Sequence, residues 1–583
     1  MTALAAGAGV ATARVLGLRN LGGEGATESL DPMAAAGMDP MGQYSAGGGV
    51  DFDASDGSIV FPDDSFFGPQ NLDASVLPEQ LRPAATLPPV AASPQTVAVA
   101  GPGTLQPVIT GITAPRLAGD LDWVSPLTTE QAKVTQLLRR ATFGYTDAEL
   151  DRALSEGYKR TVDRLVDTPF AEPPTFTVAP PATPRPSATA TPRPSGVASA
   201  SPAITYAPTP ASASMASATP APTATPAPPT TNTTSINISN LQAWWVDWMT
   251  QSPTPFGEKM TLFWHGHFTS DYRKVGTNSP AIYWQNLTWR RMAMGDLKTM
   301  LTQVTPDLAM LRYLDLAAST AAKPNENYAR ELMELFTLGV GNYSEDDVKA
   351  AAKALAGWRL PMRTEPTAQA GIFDPRRAST APVTFLGKTA MFDTVAVVDQ
   401  ILAQDATATF ITRELARFFV SPGVTDAYVA RLADGFRRSR YDVRSLMRAM
   451  FMSPEFTAPE TYRALIKSPT EFMVGSAKAL GAANLTRTIT GYGTLLGQNL
   501  FDPPSVAGWG DNASWISSNT MLQRANFAST VLGQLRVVPS AAKAHERHLD
   551  SVLGAGTVQE LNNARDDRSR WFAVLVSPEF QLK

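Results

Sequence analysis

The sequence predicts an all-α protein: a single large multi-helix domain, preceded by a long disordered N-terminal region and interrupted by a disordered Pro/Thr/Ser/Ala-rich insert. Three observations carry that prediction. From Asn237 onward, apolar side chains recur at three- and four-residue spacing in one segment after another. Ser or Thr followed three residues later by Glu, Gln or Asp, a helix-start signature, precedes several helical segments. Alternation suited to a strand is confined to a short pair around "PVTFLGKTA".

The elements follow in order. The opening "MTALAAGAGVATARVLGLRN" carries an Ala/Gly/Val-rich stretch from Ala3 to Val10, then the A-x-A pattern Ala11-Thr12-Ala13. This is similar to the apolar part and cleavage site of an export signal, without the basic residues that normally precede them. A truncated export signal and a plain flexible tail both fit. The rest of residues 1–125 is rich in Gly, Ala, Pro and Ser, with no sustained helical period, and is predicted to be disordered.

Regular structure is predicted from "SPLTTEQAKVTQLLRRATFG", where Thr128 and Gln131 form a capping box and Ala132, Val134, Leu137 and Leu138 make an apolar stripe. Thr146 and Glu149 cap a second helix. Within the domain of residues 126–583, residues 172–235 form the insert, with "TPRPS" at Thr183 repeated at Thr191. Such a composition lacks the apolar anchors that offset chain entropy, so an extended, partly polyproline II excursion is expected. It fits a linker of an exported surface protein, and equally a tolerated loop insertion. Dense helical patterns follow, among them "LQAWWVDWMT", "PFGEKMTLFW", "YWQNLTWRRMAM", "NENYARELMELFTL", "ITRELARFFV" and "VRSLMRAMFMS".

Composition narrows the function classes. The 583 residues carry a net charge of −4 and no long Lys/Arg run, which argues against nucleic acid as a partner. With no cysteine, disulfides, thiolate catalysis and cysteine-based metal sites are excluded. No apolar run reaches the roughly 18 residues of a transmembrane helix. G-x-S-x-G, P-loop, dinucleotide-binding and H-E-x-x-H motifs are absent.

Candidate chemistry gathers in three stretches. In "FWHGHF", His265 and His267 are candidate ligands of a divalent metal or candidate acid–base groups. The preceding Phe256, Met260, Phe263 and Trp264 read as a helix, on which i and i+2 point apart. Shared chelation therefore requires the helix to end near His265, with Gly266 in the left-handed position. Otherwise the rings are polar members of an aromatic core. In "NENYARELMELFTLGVG", Glu326, Asn327, Arg330, Glu331 and Glu334 fall within an arc of roughly 140°, opposite an apolar face. Glu326, Arg330 and Glu334 are candidate catalytic groups, and Asn325, Asn327 and Glu331 candidate binding groups. A solvated face with i,i+4 ion pairs explains the same pattern, as does a buried polar network. In "FDPPSVAGWGDNASW", Trp509 and Trp515 on a rigid loop are candidates for stacking on a sugar ring, or for packing on the helical core. The second histidine pair, His545 and His548, has i,i+3 spacing and is expected at the surface.

"LLRRATFGYTDAEL", "EKMTLFWHGHFTS", "PNENYARELMELFTLGVGNYSEDDVKAAAKALAGW", "KSPTEFMVG" and "LGQNLFDPPSVAGWGDNASWISSNTMLQRANFA" occur in this order. Together the chain resembles the bacterial family called domain of unknown function 1800, over roughly Thr128 to Val531 and again near the chain end. The resemblance implies no established activity. It implies frequent export, and genes lying beside a second family resembling sulfatases and phosphatases. It also marks departures: where members have a His-Asp pair and a Lys, this chain has Ala378, Ser379 and Val383, and Leu316 stands where members tend to have Asn.

Two functions are therefore expected to compete. One is an exported envelope protein that binds a polymer, or a co-encoded sulfatase- or phosphatase-like partner. The other is an exported metal-dependent hydrolase or oxidoreductase using His265, His267 and the polar helix face.

Overall fold

A computed structural model describes residues 125–176, 236–362, 368–482 and 484–583. Residues 1–124 and 177–235 lie outside it, and so do the expectations for the signal-like segment, N-terminal disorder and polyproline character.

The described residues are mostly helical, as the apolar spacing predicts. The order begins with α1 (Glu130–Ala141), α2 (Asp147–Glu156) and α3 (Tyr158–Asp167). After the insert come α4 (Ile238–Gln251), α5 (Pro255–His267), α6 (Tyr272–Val275), α7 (Ala281–Met292), α8 (Leu297–Val304), α9 (Leu308–Tyr313), α10 (Glu326–Glu334) and α11 (Glu345–Ala354). Two short antiparallel pairs follow: β1 (Trp358–Arg359) with β2 (Ile372–Phe373), and β3 (Val383–Phe385) with β4 (Lys388–Ala390). The second pair is the "PVTFLGKTA" stretch; the first carried too few residues for an alternation signal. The chain then forms α12 (Thr394–Leu402), α13 (Asp405–Phe419), α14 (Asp426–Arg438), α15 (Val443–Phe451), α16 (Pro469–Ala479) and α17 (Thr486–Leu495). It closes with α18 (Ser518–Gln534), α19 (Ala544–Leu549), α20 (Ala555–Asn563), α21 (Asp567–Val576) and α22 (Pro578–Gln581).

Local chemistry explains most of the starts. Thr146 with Glu149 and Ser344 with Asp347 both close reciprocal capping boxes. The first helix starts one residue later than expected. Ser125-Pro126 nucleates a 3₁₀ turn, so Thr129 rather than Thr128 caps α1, accepting from the Ala132 amide.

One apolar cluster runs from Leu137 in α1 to Phe580 in α22, so helices far apart in sequence share one core. Polar contacts reinforce the closure. Arg139 makes a two-pronged ion pair with Asp550, and the Tyr145 hydroxyl donates to the Arg547 carbonyl. The insert predicted from composition also loses its first residues to this body. Phe176 packs on Trp244 and Tyr283, and Trp244 Nε1 donates to the Pro174 carbonyl. On the far side, the Ile236 amide donates to the Asn278 carbonyl, so both flanks of the excursion attach at or just before α7.

Candidate functional site

Helix α5 is buried almost all round: every residue from Phe256 to His265 is inaccessible. An all-round buried helix has no solvated face for its polar residues, so each must find a partner within the protein. Glu258 takes both prongs of Arg290 (2.7 and 2.8 Å) and the Trp245 Nε1–H (2.9 Å), while Arg290 also donates to Asn286 (2.7 Å). Lys259 pairs with Glu471, donates to the Thr142 carbonyl at 3.2 Å and lies against the Phe143 and Phe418 rings.

The two histidines end this helix. Shared chelation required the helix to stop near His265, but it continues through His267, which turns the two side chains about 160° apart. His265 Nε2 accepts the Phe501 amide at 3.1 Å, which puts the hydrogen of the neutral ring on Nδ1. His267 Nε2 sits 3.0 Å from the Phe336 carbonyl, an acceptor, so there the hydrogen is on Nε2. The rings thus adopt opposite tautomers and serve different backbone groups. Burial pushes His265 down to about 3 and His267 to about 4, the Phe336 bond only partly opposing it. Desolvation outweighs any gain from the helix C-terminal dipole, and both rings are neutral at pH 7. Among the described residues, no group of three or more His, Asp or Glu is placed to hold a metal ion.

His265 lies within an aromatic box, 5.0 Å from the Trp245 ring, 5.0 Å from Phe501 and 5.3 Å from Trp509. This joins two motifs separated by more than 200 residues. The loop after α17 docks on the end of α5 through several contacts. Phe501 adopts φ +67, its carbonyl accepting the Tyr272 amide at 3.0 Å. Thr269 Oγ1 donates to Val506 at 2.5 Å, and Gly508 packs against the Gly266 carbonyl. Asp502 pairs with Arg273 at 2.5 Å and accepts from Asn499 at 3.0 Å. Trp509 is left partly exposed on this platform, whereas Trp515 is buried. Gln242 from α4 ties the loop base through Asn499 (2.8 Å) and the Leu500 carbonyl (2.9 Å).

His267 faces α10, α13 and their neighbours, among Phe263, Phe268, Phe336 and Phe410. The α10 polar residues remain at the rim rather than forming a buried network. Asn325 caps the helix by accepting the Asn327 amide at 2.9 Å, and Asn327 is exposed. Arg330 binds Glu345 with two bonds (2.6 and 2.7 Å) and approaches Glu326 at 3.7 Å. Glu334 leaves the predicted ladder to accept from the Tyr343 hydroxyl. The Glu331 carboxylate makes no hydrogen bond among the described residues; partial burial and the charge of Glu334 hold it above the usual range.

Sequence reasoning did not single out Glu258, Lys259, Glu471 or Lys583. Glu471 receives both Lys259 and Lys583, and although its own burial opposes ionisation, the two ammonium groups hold it near 2. The available signal was charge inside an otherwise apolar helix. His548 is also corrected: rather than facing solvent it is buried, stacked on Tyr145 at 5.3 Å and near Trp571.

Fold and site together define a helical protein in which a histidine-bearing helix end braces an aromatic loop. The model of the family described as protein of unknown function (DUF1800) matches residues 136–582, and the chain belongs to that family. No curated protein and no solved structure matches the chain. No helix among the described residues is long and apolar enough to cross a membrane.

Proposed function

We propose that this protein is a non-catalytic binding protein of the bacterial cell envelope, and that Trp509 and its loop take a carbohydrate polymer. One observation carries the reading: both Nε2 atoms of the "HGH" motif are committed to backbone hydrogen bonds, and His265 holds the loop that presents Trp509. A partly exposed indole braced against His265 is suited to stacking on a sugar ring, because its large apolar face can cover the C–H face of the sugar while its N–H stays free to hydrogen-bond. The Ala/Gly/Val-rich opening with its A-x-A pattern, the Pro/Thr-rich insert and the family's association with export support the envelope setting. The departures from the family pattern support a binding role. Arg377, next to Ala378 and Ser379, donates to the Ala317 and Ser319 carbonyls, so the substituted positions border the turn that leads into α10.

The test is co-sedimentation of the full chain with insoluble envelope polysaccharides. Wild type is expected to pellet with at least one of them, and Trp509→Ala to lose about tenfold in affinity with unchanged melting, a loss of about 1.4 kcal/mol. Failure of wild type to pellet with any polymer would sink the reading. The competing metal-dependent enzyme predicts near-stoichiometric metal in purified protein, abolished in a His265→Ala, His267→Ala variant that stays folded.

A further inference from the structure

A groove of about 400 Å³ lies between α14 and α15, and none of its lining residues belongs to the α5–loop site. Leu432 and Phe436 from α14 and Leu446 from α15 form an apolar floor. Two residues keep it open. Ala449 is short, and a Cβ on Gly435 would meet no atom within 4 Å. Gly435 therefore serves no close contact, and its φ lies outside the left-handed region. Glycine inside a helix is nevertheless about 1 kcal/mol worse than alanine. What its missing side chain provides is space.

The charges of the groove do not cancel. Arg431 donates to both oxygens of Glu455 at 2.8 Å and is matched. The guanidinium of Arg438, exposed on the same helix, makes no hydrogen bond or ion pair among the described residues. One uncompensated guanidinium thus borders an apolar floor, in a cavity within the roughly 300–1,000 Å³ range of small-molecule sites.

We propose that this groove binds a small amphiphile with one anionic head and a short apolar tail. The tail lies over Leu432, Phe436 and Leu446, in the space left by Gly435. The head, a carboxylate or a phosphate, meets the planar fork of Arg438, which suits two-pronged binding of either group.

Isothermal titration of the full chain with decanoate, decyl phosphate and decylammonium tests this and separates the two head groups. One-to-one binding of at least one anion, and none of decylammonium, is expected. Gly435→Leu projects a branched side chain into the space from a Cβ that meets no atom within 4 Å, and should abolish binding in a variant whose melting shows that it is folded. Arg438→Gln should weaken the anion about tenfold. The proposal is overturned if neither anion binds, if Gly435→Leu binds as wild type does, or if decylammonium binds equally well. An acidic amphipathic peptide that binds where both anions fail would overturn it in favour of a protein partner.

Discussion

His265 accepts the amide of Phe501 at 3.1 Å and thereby holds a phenylalanine in the left-handed region, at φ +67. A non-glycine residue there is strained by roughly 1–3 kcal/mol, and persists only where its surroundings impose it. The Tyr272 amide on the Phe501 carbonyl supplies the second restraint. His265→Phe keeps the aromatic volume but leaves the Phe501 amide buried without an acceptor, at a cost of about 1–3 kcal/mol. Urea unfolding should show that loss as a lowered midpoint. A wild-type midpoint in His265→Phe would remove the bracing role.

The histidines also predict the acid limb of stability. His548, like His265 and His267, is held down by burial, to about 4. A folded-state value below the unfolded one, about 6.5, means that stability is complete above that pH. It is lost as pH falls, because only the unfolded chain takes up the proton. At pH 5 this amounts to roughly 2 kcal/mol per buried histidine. Asp307 works in the opposite direction, since burial raises it to about 7 and its folded form gains a proton first. His548→Phe isolates one contribution: the stability gap between wild type and variant should shift by roughly 2 kcal/mol in the variant's favour from pH 7.5 to 5. A gap independent of pH would contradict the assignment.

Gly508 meets Gly266 so closely that a Cβ on Gly508 would lie 2.4 Å from the Gly266 carbonyl oxygen, and its φ is +81. Gly508→Ala therefore combines a clash with left-handed strain and should destabilise by about 2–4 kcal/mol. Because the loop must lift away from α5, Trp509 fluorescence should shift to the red in the folded variant. Gly435→Ala, at a helical position with open space, is the control expected to stabilise by about 0.5–1 kcal/mol.

The buried carboxylate of Glu471 is shared by Lys259 and Lys583. Glu471→Gln removes the carboxylate that holds the charge on Lys259 and Lys583 against burial, which already pulls Lys259 down to about 7, and breaking the buried cluster should cost about 3–5 kcal/mol. Adding Lys259→Met removes one of the two lysines in a shape-conserving way and should recover part of the loss. A double-mutant cycle measures the coupling, and strict additivity would show that the groups do not interact.

What the sequence determined by itself was local. Apolar residues at three- and four-residue spacing define helices wherever they occur, and the boxes at Thr146 and Ser344 place two starts. The family, too, was legible, since its motifs are linear runs. The pairing of Lys259 with Glu471, 212 residues away, had no such signal, and neither did that of His265 with Phe501, 236 residues away. Sequence spacing says which face of a helix a side chain occupies; it does not say which distant chain covers that face. That His265 and His267 meet different backbone groups followed only from α5 running on past Gly266, with the Phe501–Trp509 loop over one ring and the Phe336 carbonyl, just after α10, beside the other. In a dry aromatic environment an unpaired polar atom is costly, so each ring took the backbone partner that the tertiary fold brought to it.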